Sequence, residues 1–310
     1  MFDKMIFNAQ IDFVRDAERI ARKHHLIQCT EGNEIYYQSS ALSNIEGIWW
    51  KIRGRTAQIK CSLHKIFWRC RYGTLDNSQM FTISNAKQIV SELLDEWDIN
   101  PEQVRITYYE VGLNIPVDHD PIEYISLAES IGVMRNRELF NDANFEKNRQ
   151  KTTEKSKNIK KVFKIYDKGF EARDKGRLCE GNILRIETIY RRQSVNLIDF
   201  FSEKSIYNII HTFYRDWATI RFRQRLTADK GIKSSQIDKA EALLRLGRDD
   251  YLRSTYERWK SGHLTDKQYR TIREFINSWD EIKCHFRMLQ SPHEIEYKTK
   301  LLSLFNEAKN

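Results

Sequence analysis

No run of about 18 consecutive apolar residues occurs in this chain, so a membrane-spanning helix is not expected. The opening "MFDKMIFNAQIDF" alternates and carries acids. It has neither the apolar centre nor the small-residue cleavage site of a signal peptide, and a cytoplasmic location is the default expectation. Cysteine is scarce: Cys29, Cys61, Cys70, Cys179 and Cys284 are odd in number and none forms a C-x-x-C pair. That argues against a disulfide framework or a zinc site and favours reduced, mostly buried thiols. There is no His-x-His pair, no Gly-rich phosphate-cradling loop, no G-x-S-x-G and no H-E-x-x-H, which disfavours nucleoside-triphosphate chemistry. His24 and His25 are adjacent, which gives no chelating face on a strand.

What is present is a globular composition with localised charge. At 310 residues and 40% hydrophobic content, the chain can form one large or two ordinary domains with a proper core. The net charge of +9 sits between residues 147 and 192, where fifteen Lys and Arg face six Asp and Glu. Such a concentration suggests a footprint for a polyanion, although "EKNRQKTTEKSKNIKK" also reads as a solvated, flexible linker.

The first part reads as mixed α/β. Strands are expected at 34–38, 47–52 and 56–63. A helix follows, capped by Ser84, with Ala86, Ile89, Val90, Leu93, Leu94 and Trp97 on one apolar face. "VRITYYEVGLNI" is a strand by β-branched and aromatic content. Asp120-Pro121 starts another helix, whose apolar stripe is continued by Ile122, Ile125, Ala128 and Ile131. Two more strands lie at 161–167 and 182–190. From Val195 onward the pattern is helical, including "SEKSIYNIIHTFYRDWATIRFRQRL". The expected fold is therefore α+β: a single, mostly antiparallel sheet with helices on one face at 1–194, containing a basic loop at 141–160, then an all-α part at 195–310.

Strand alternation then places side chains. Glu110 shares a face with Tyr108 and Ile106; Glu187 shares one with Arg185 and Ile189; Tyr166 shares one with Lys164, opposite Phe163 and Ile165. Acids in mid-strand are uncommon because they are costly to bury unpaired. Two of them on adjacent strands repel, and a hard divalent cation, Mg²⁺ or Mn²⁺, relieves the repulsion. A neighbouring tyrosine could then be activated as a nucleophile, with Lys164 and Lys168 lowering its pKa or holding phosphate oxygens. The simpler alternative pairs each Glu with Arg185 or Arg105. His64 in "CSLHKIFWRCRYG", beside Lys65, Arg69 and Arg71, could contact phosphates or bases, or be a satisfied strand histidine.

The series "IKCSLHKIF", "INPEQVRITYYEVGLNIPV", "VFKIYDKGFE" and "GNILRIETIYRR" resembles the phage and plasmid replication proteins related to the gene II protein of filamentous phages, and the trans-acting rolling-circle plasmid initiators. The resemblance covers residues 1–192, and its most specific pieces are "KIYDK" and "LRIE". It implies nicking and rejoining of single-stranded or hairpin origin DNA through a 5′-phosphotyrosine. It further implies Tyr166 as nucleophile, Glu187 and Glu110 as ligands of Mg²⁺ or Mn²⁺, and Lys164, Lys168 and Arg185 as phosphate contacts. Lys160 and Lys161, in the basic tract, would follow the DNA backbone along with Lys65 and Arg69. A host helicase partner and an oligomer stay open, as does a second catalytic tyrosine at Tyr109 or Tyr190. The alternative is a non-catalytic DNA-binding replication regulator. The chain departs from the family in lacking a His-hydrophobic-His metal pair, and Cys61 stands where relatives often carry glycine before "SLHK".

Overall fold

The computed structural model describes residues 1–40, 47–74, 80–132, 137–156, 158–177 and 179–308. In chain order the strands are β1 (Phe2–Gln10), β2 (Ile27–Glu31), β3 (Glu34–Gln38), β4 (Ile48–Arg53), β5 (Thr56–Ser62), β6 (Val104–Val117), β7 (Ala128–Ile131), β8 (Arg137–Glu138), β9 (Phe140–Asn141), β10 (Gln150–Thr152), β11 (Lys161–Asp167), β12 (Asn182–Asn196), β13 (Arg221–Phe222), β14 (Arg225–Ala228) and β15 (Phe286–Leu289). The helices are α1 (Glu18–Lys23), α2 (Leu63–Tyr72), α3 (Ile83–Trp97), α4 (Pro121–Leu127), α5 (Phe145–Asn148), α6 (Lys168–Asp174), α7 (Leu197–Phe200), α8 (Glu203–Ala218), α9 (Ser234–Leu246), α10 (Arg248–Lys260), α11 (Asp266–Asn277), α12 (Trp279–Ile282) and α13 (Pro292–Ala308). None of the described helices is long and apolar enough to cross a membrane.

Ten strands form one sheet in the order β2-β3-β4-β5-β1-β6-β12-β11-β10-β9, and every pairing in it is antiparallel. The mixed α+β class therefore holds. The N-terminal strand is central, between β5 and β6, and β12 joins β6 although about 65 residues separate them in the chain. Both faces are covered along the middle of β12, where Leu184 to Ile189 are all buried. On one face Ile186 joins a core with Phe163, Ile165, Trp217 and Phe200, and the Trp217 indole donates to Thr188 Oγ1 at 3.0 Å. Helix α3 follows its apolar period: Ile83, Ala86, Ile89, Val90, Leu93, Leu94 and Trp97 are all buried. Full burial of each large side chain among them contributes roughly 1.5–3 kcal/mol. Its cap is Thr82, reciprocated by Asn85 in a capping box, and not Ser84.

The chain divides into two compact units elsewhere than at residue 194. That position lies inside β12, and α7 and α8 place Leu197, Phe200, Ile206, Phe213 and Trp217 in the same core as the sheet. One unit is Met1–Phe222 with His293–Asn310; helix α13 returns Tyr297, Leu301 and Phe305 to the sheet's core. The other unit is Arg223–Pro292, with α9 to α12 around Leu226, Ala240, Leu243, Tyr251, Phe275, Ile276 and Phe286. It is not all-α: β14 and β15 pair antiparallel and close its two chain ends against each other.

Three local expectations change. Helix α4 stops at Leu127, and Ala128–Ile131 forms a strand paired with β13 and β8, so the apolar stripe of 122–131 belongs to two elements. Residues 219–233 are not helical; "RF" supplies β13 and "RLTA" supplies β14. The expected basic loop 141–160 is partly built into the sheet through β9 and β10. There Lys151 is buried and donates to the backbone oxygens of Ser126 and Ala128 at 3.0 and 2.7 Å.

Candidate metal centre and its tyrosines

Pairing register assembles the site. On β12 and β11, Glu187 lies opposite Lys164, and Arg185 lies opposite Tyr166. On the other flank of β12, Glu187 faces Gly112, Arg185 faces Asn114, and Ile189 faces Glu110. Alternation then puts Tyr166, Lys164, Arg185, Glu187, Glu110 and Asn114 on one side of the sheet. Tyr108 joins them and Ile106 does not. A register shift in the β1–β6 pairing between Ile6 and Phe7 lets Ile106 turn into the core while Tyr108 stays half-exposed beside Glu110.

A third acid, Asp3, comes from β1 and was not among the sequence candidates. A second irregularity in the β1–β6 pairing, between Phe2 and Met5, accompanies the burial of both Phe2 and Asp3. Asp3, Glu110 and Glu187 each offer a carboxylate oxygen, and these oxygens lie within 4.8 Å of one another.

Arg185, only 2% exposed, ties the group together. Its Nε donates to Glu187 Oε1 at 2.6 Å, its Nη2 to Asp3 Oδ2 at 2.7 Å and its Nη1 to Asn114 Oδ1 at 2.8 Å. Ser62 donates to the other Asp3 oxygen at 2.5 Å. The Tyr166 hydroxyl donates to Glu187 Oε1 at 2.8 Å, and Tyr108 donates to Glu110 Oε1. Lys164 Nζ sits 4.7 Å from the centre of the Tyr166 ring and 3.9 Å from Glu187 Oε2. Lys168 is buried, 6.0 Å from the same ring, and pairs with Glu171.

The electrostatics follow from burial and crowding. Burial and the neighbouring carboxylates of Glu187 and Asp3 push Glu110 up to about 7. Asp3 moves the opposite way: burial opposes its ionisation, but Arg185, with the Ser62 hydroxyl, holds it well below the usual carboxylate range. Burial, then the Glu187 charge, pushes the Tyr166 phenol far up. Burial and the Arg185 charge bring Lys168 down to about 8.

The donor set fits a hard divalent cation. Three carboxylates supply only oxygen ligands, and burial together with the charges of Glu187 and Asp3 raises Glu110, a cost that a bound cation would relieve. Among the described residues, neither Glu110 Oε2 nor Glu187 Oε2 accepts a hydrogen bond. Mg²⁺ or Mn²⁺ would be held by Asp3, Glu110 and Glu187.

The remaining candidates fall in different places. Tyr109 and Tyr190 stack on each other at 4.6 Å on the opposite face, against Phe200, away from the carboxylates. Glu187 is the partner of Arg185, whereas Arg105 donates to Ser194 and leaves Glu110 to Tyr108. Lys161 donates to Asp216, while Lys160 is exposed. His64 is on helix α2, not on a strand; Ser62 caps that helix. The His64 ring is buried, stacks on Phe81 at 4.7 Å, and is kept neutral by burial. It lines a cavity of about 520 Å³ with Phe81, Gly112, Asn114 and Arg185. Lys65 and Arg69 follow on α2, both half-buried, and burial with repulsion from Arg177 lowers the Lys65 ammonium. Lys65 thus places positive charge near Asp3, with Arg177 and Lys175 close to Lys65.

No known family model matches this chain, and no curated protein matches it. The case for a site rests on the side chains themselves. The acid that sequence reasoning missed had one visible signal, the Asp in the alternating "MFDKMIF".

Proposed function

We propose that the protein is a metal-dependent DNA strand transferase that nicks and rejoins a single strand to start rolling-circle replication of a small plasmid or phage. The observation that carries this reading is the convergence of Asp3, Glu110 and Glu187 from three adjacent strands, with the Tyr166 phenol hydrogen-bonded to one of them. The resemblance of "KIYDK" and "LRIE" to the replication initiators points to the same two residues from the sequence side.

Bound between the three carboxylates, the cation would neutralise and polarise the scissile phosphate. The chain's own groups do the rest. The Tyr166 oxygen attacks phosphorus and the bond from phosphorus to the 3′-oxygen breaks. The phenolic proton passes to the Glu187 oxygen that it already faces, and the leaving 3′-oxygen takes a proton from water. The product is a 5′-phosphotyrosine with a free 3′-hydroxyl; the reverse attack rejoins the strand. Lys164, half-exposed beside the ring, is the cation at hand for a phosphate oxygen. Arg185 donates to Glu187, Asp3 and Asn114 and positions the two carboxylates.

A non-catalytic DNA-binding replication regulator is the second reading. It is favoured by the closed Asp3–Arg185–Glu187 network and by the burial of Tyr166. Incubation with end-labelled single-stranded DNA and Mn²⁺, followed by denaturing electrophoresis, separates the two. Nicking predicts a protein–DNA band that Tyr166→Phe abolishes. DNA retention on a native gel with no covalent band in the wild type would select the regulator, and an undiminished band in Tyr166→Phe would remove Tyr166 as nucleophile.

A further inference from the structure

A second group of metal-ligating side chains lies at the start of helix α13, apart from the carboxylate cluster. His119 precedes the Asp120 cap of α4, Glu123 is in the first turn of α4, and His293 is in the first turn of α13. One ligand atom from each lies within 4.8 Å of the others. The two imidazole rings are in contact, with centres 4.8 Å apart, and His293 Nε2 is 3.0 Å from Glu123 Oε2. All three residues belong to the same compact unit.

The flanking acids are already partnered. Asp118, Asp120 and Glu296 sit in the same turn or on the adjoining face of α13; Lys300 answers Asp118 and Glu296, and Arg149 lies 3.8 Å from Asp120. Glu296 also accepts from the Asp118 amide at 2.8 Å and from the Tyr124 hydroxyl, so the backbone carrying His119 is already fixed against α13. The His293 ring packs nearly perpendicular to that of buried Tyr124, with centres 4.7 Å apart, and this limits how the imidazole can turn. The ligands are thus pre-positioned before any ion arrives.

We propose that His119, Glu123 and His293 bind a transition-metal ion, with Zn²⁺ the best fit. Two imidazoles and one carboxylate are a borderline donor set that suits Zn²⁺ and disfavours the hard cations expected at the Asp3 cluster. Three protein ligands leave a position for water. The consequence is structural: the ion staples the beginning of α13 to the turn before α4, at the point where the chain re-enters the sheet unit after the Arg223–Pro292 insertion.

The full chain, stripped of metal with a chelator, is titrated with Zn²⁺ by calorimetry, and with Co²⁺ by visible d–d absorption. One Zn²⁺ should bind per chain at this site. His119→Ala, His293→Ala and Glu123→Gln should each weaken binding on the order of 100-fold or more, and Zn²⁺ should slow hydrogen exchange along α13. His119 and Glu123 are exposed, so their variants should keep the wild-type circular dichroism. Glu110→Gln serves as the control and should leave Zn²⁺ affinity unchanged. Wild-type Zn²⁺ affinity in the His119 and Glu123 variants, or an absence of Zn²⁺ binding by the unmutated chain, would overturn the proposal. Loss of Zn²⁺ binding in Glu110→Gln with retention in the His variants would assign the ion to the Asp3 cluster instead.

Discussion

Replacing Arg185 with methionine tests both the clamp and the metal at once. Methionine roughly keeps the volume but removes three charge-assisted donors, leaving Asp3 and Glu187 buried without their shared counter-charge. Breaking a buried ion pair from one side costs about 3–5 kcal/mol. On a unit of this size that lowers Tm by roughly 6–20 °C. The loss should depend on pH. Asp3 is held below the usual carboxylate range, so its contribution is present above the unfolded pKa of about 3.9 and is lost as pH falls further. The gap between Arg185→Met and wild type should therefore narrow in acid. Mn²⁺ should act in the other direction. With the guanidinium gone, the three carboxylates have more to gain from a divalent ion, and saturation to about 100 times Kd stabilises by about 2.7 kcal/mol. Thermal melts at pH 7.5, in chelator and in Mn²⁺, give both numbers. A Tm within about 2 °C of wild type in chelator would mean that Arg185 holds nothing together. A Mn²⁺ shift no larger than that of wild type would remove the carboxylates as its ligands.

Two further outcomes follow from the same geometry. Gly112 lies opposite Glu187, and a Cβ there would sit 2.9 Å from Arg185 Nη2 and 3.1 Å from Glu187 Cγ. Because that guanidinium is pinned by three acceptors, Gly112→Ala should cost about 1–3 kcal/mol in urea unfolding, and unchanged stability would show the clamp to be loose. Glu110, raised to about 7, favours the protonated folded form, so its contribution is complete below the unfolded pKa of about 4.3 and is lost as pH climbs to 7. The metal-free protein should lose about 2–3 kcal/mol between pH 4.5 and 8, and Glu110→Gln should be free of that loss; equal slopes for the two proteins would sink the assignment.

The legible part of the molecule is the part that local periodicity controls. Helix α3 could be read because seven apolar residues recur at helical spacing, and β11 and β12 because their alternation survives into the fold. That alternation put Tyr166 with Lys164 and Arg185 with Glu187, each pair on one face of its own strand; the β11–β12 register joins the two pairs. The missing pieces share a cause. Asp3 reaches the cluster where the pairing of β1 with β6 slips, and such a slip leaves no periodic trace in nine residues. The other slip in that pairing, between Ile6 and Phe7, misplaced Ile106. His64 reads as a strand residue because it directly follows the strand-like 56–63; Ser62 ends that strand by capping a helix, and a short run of this kind does not distinguish the two.

The central position of β1 explains why the acids could be counted in pairs but not in threes. Sequence order suggests that neighbours in the chain become neighbours in the sheet, which brings β11 beside β12. It does not suggest that the first strand inserts between β5 and β6, nor that β6 and β12 meet across about 65 residues. Those two non-local pairings carry the third carboxylate to the other two. They also deliver its electrostatic consequence, because Glu110 is pushed up by burial and by Glu187 and Asp3 together. A pair of strand acids is ambiguous between an arginine partner and a metal. Here Arg185 satisfies Glu187 and Asp3, while Glu110 accepts its hydrogen bond from a phenol, and the carboxylate that Arg185 does not meet is what the proposed cation answers.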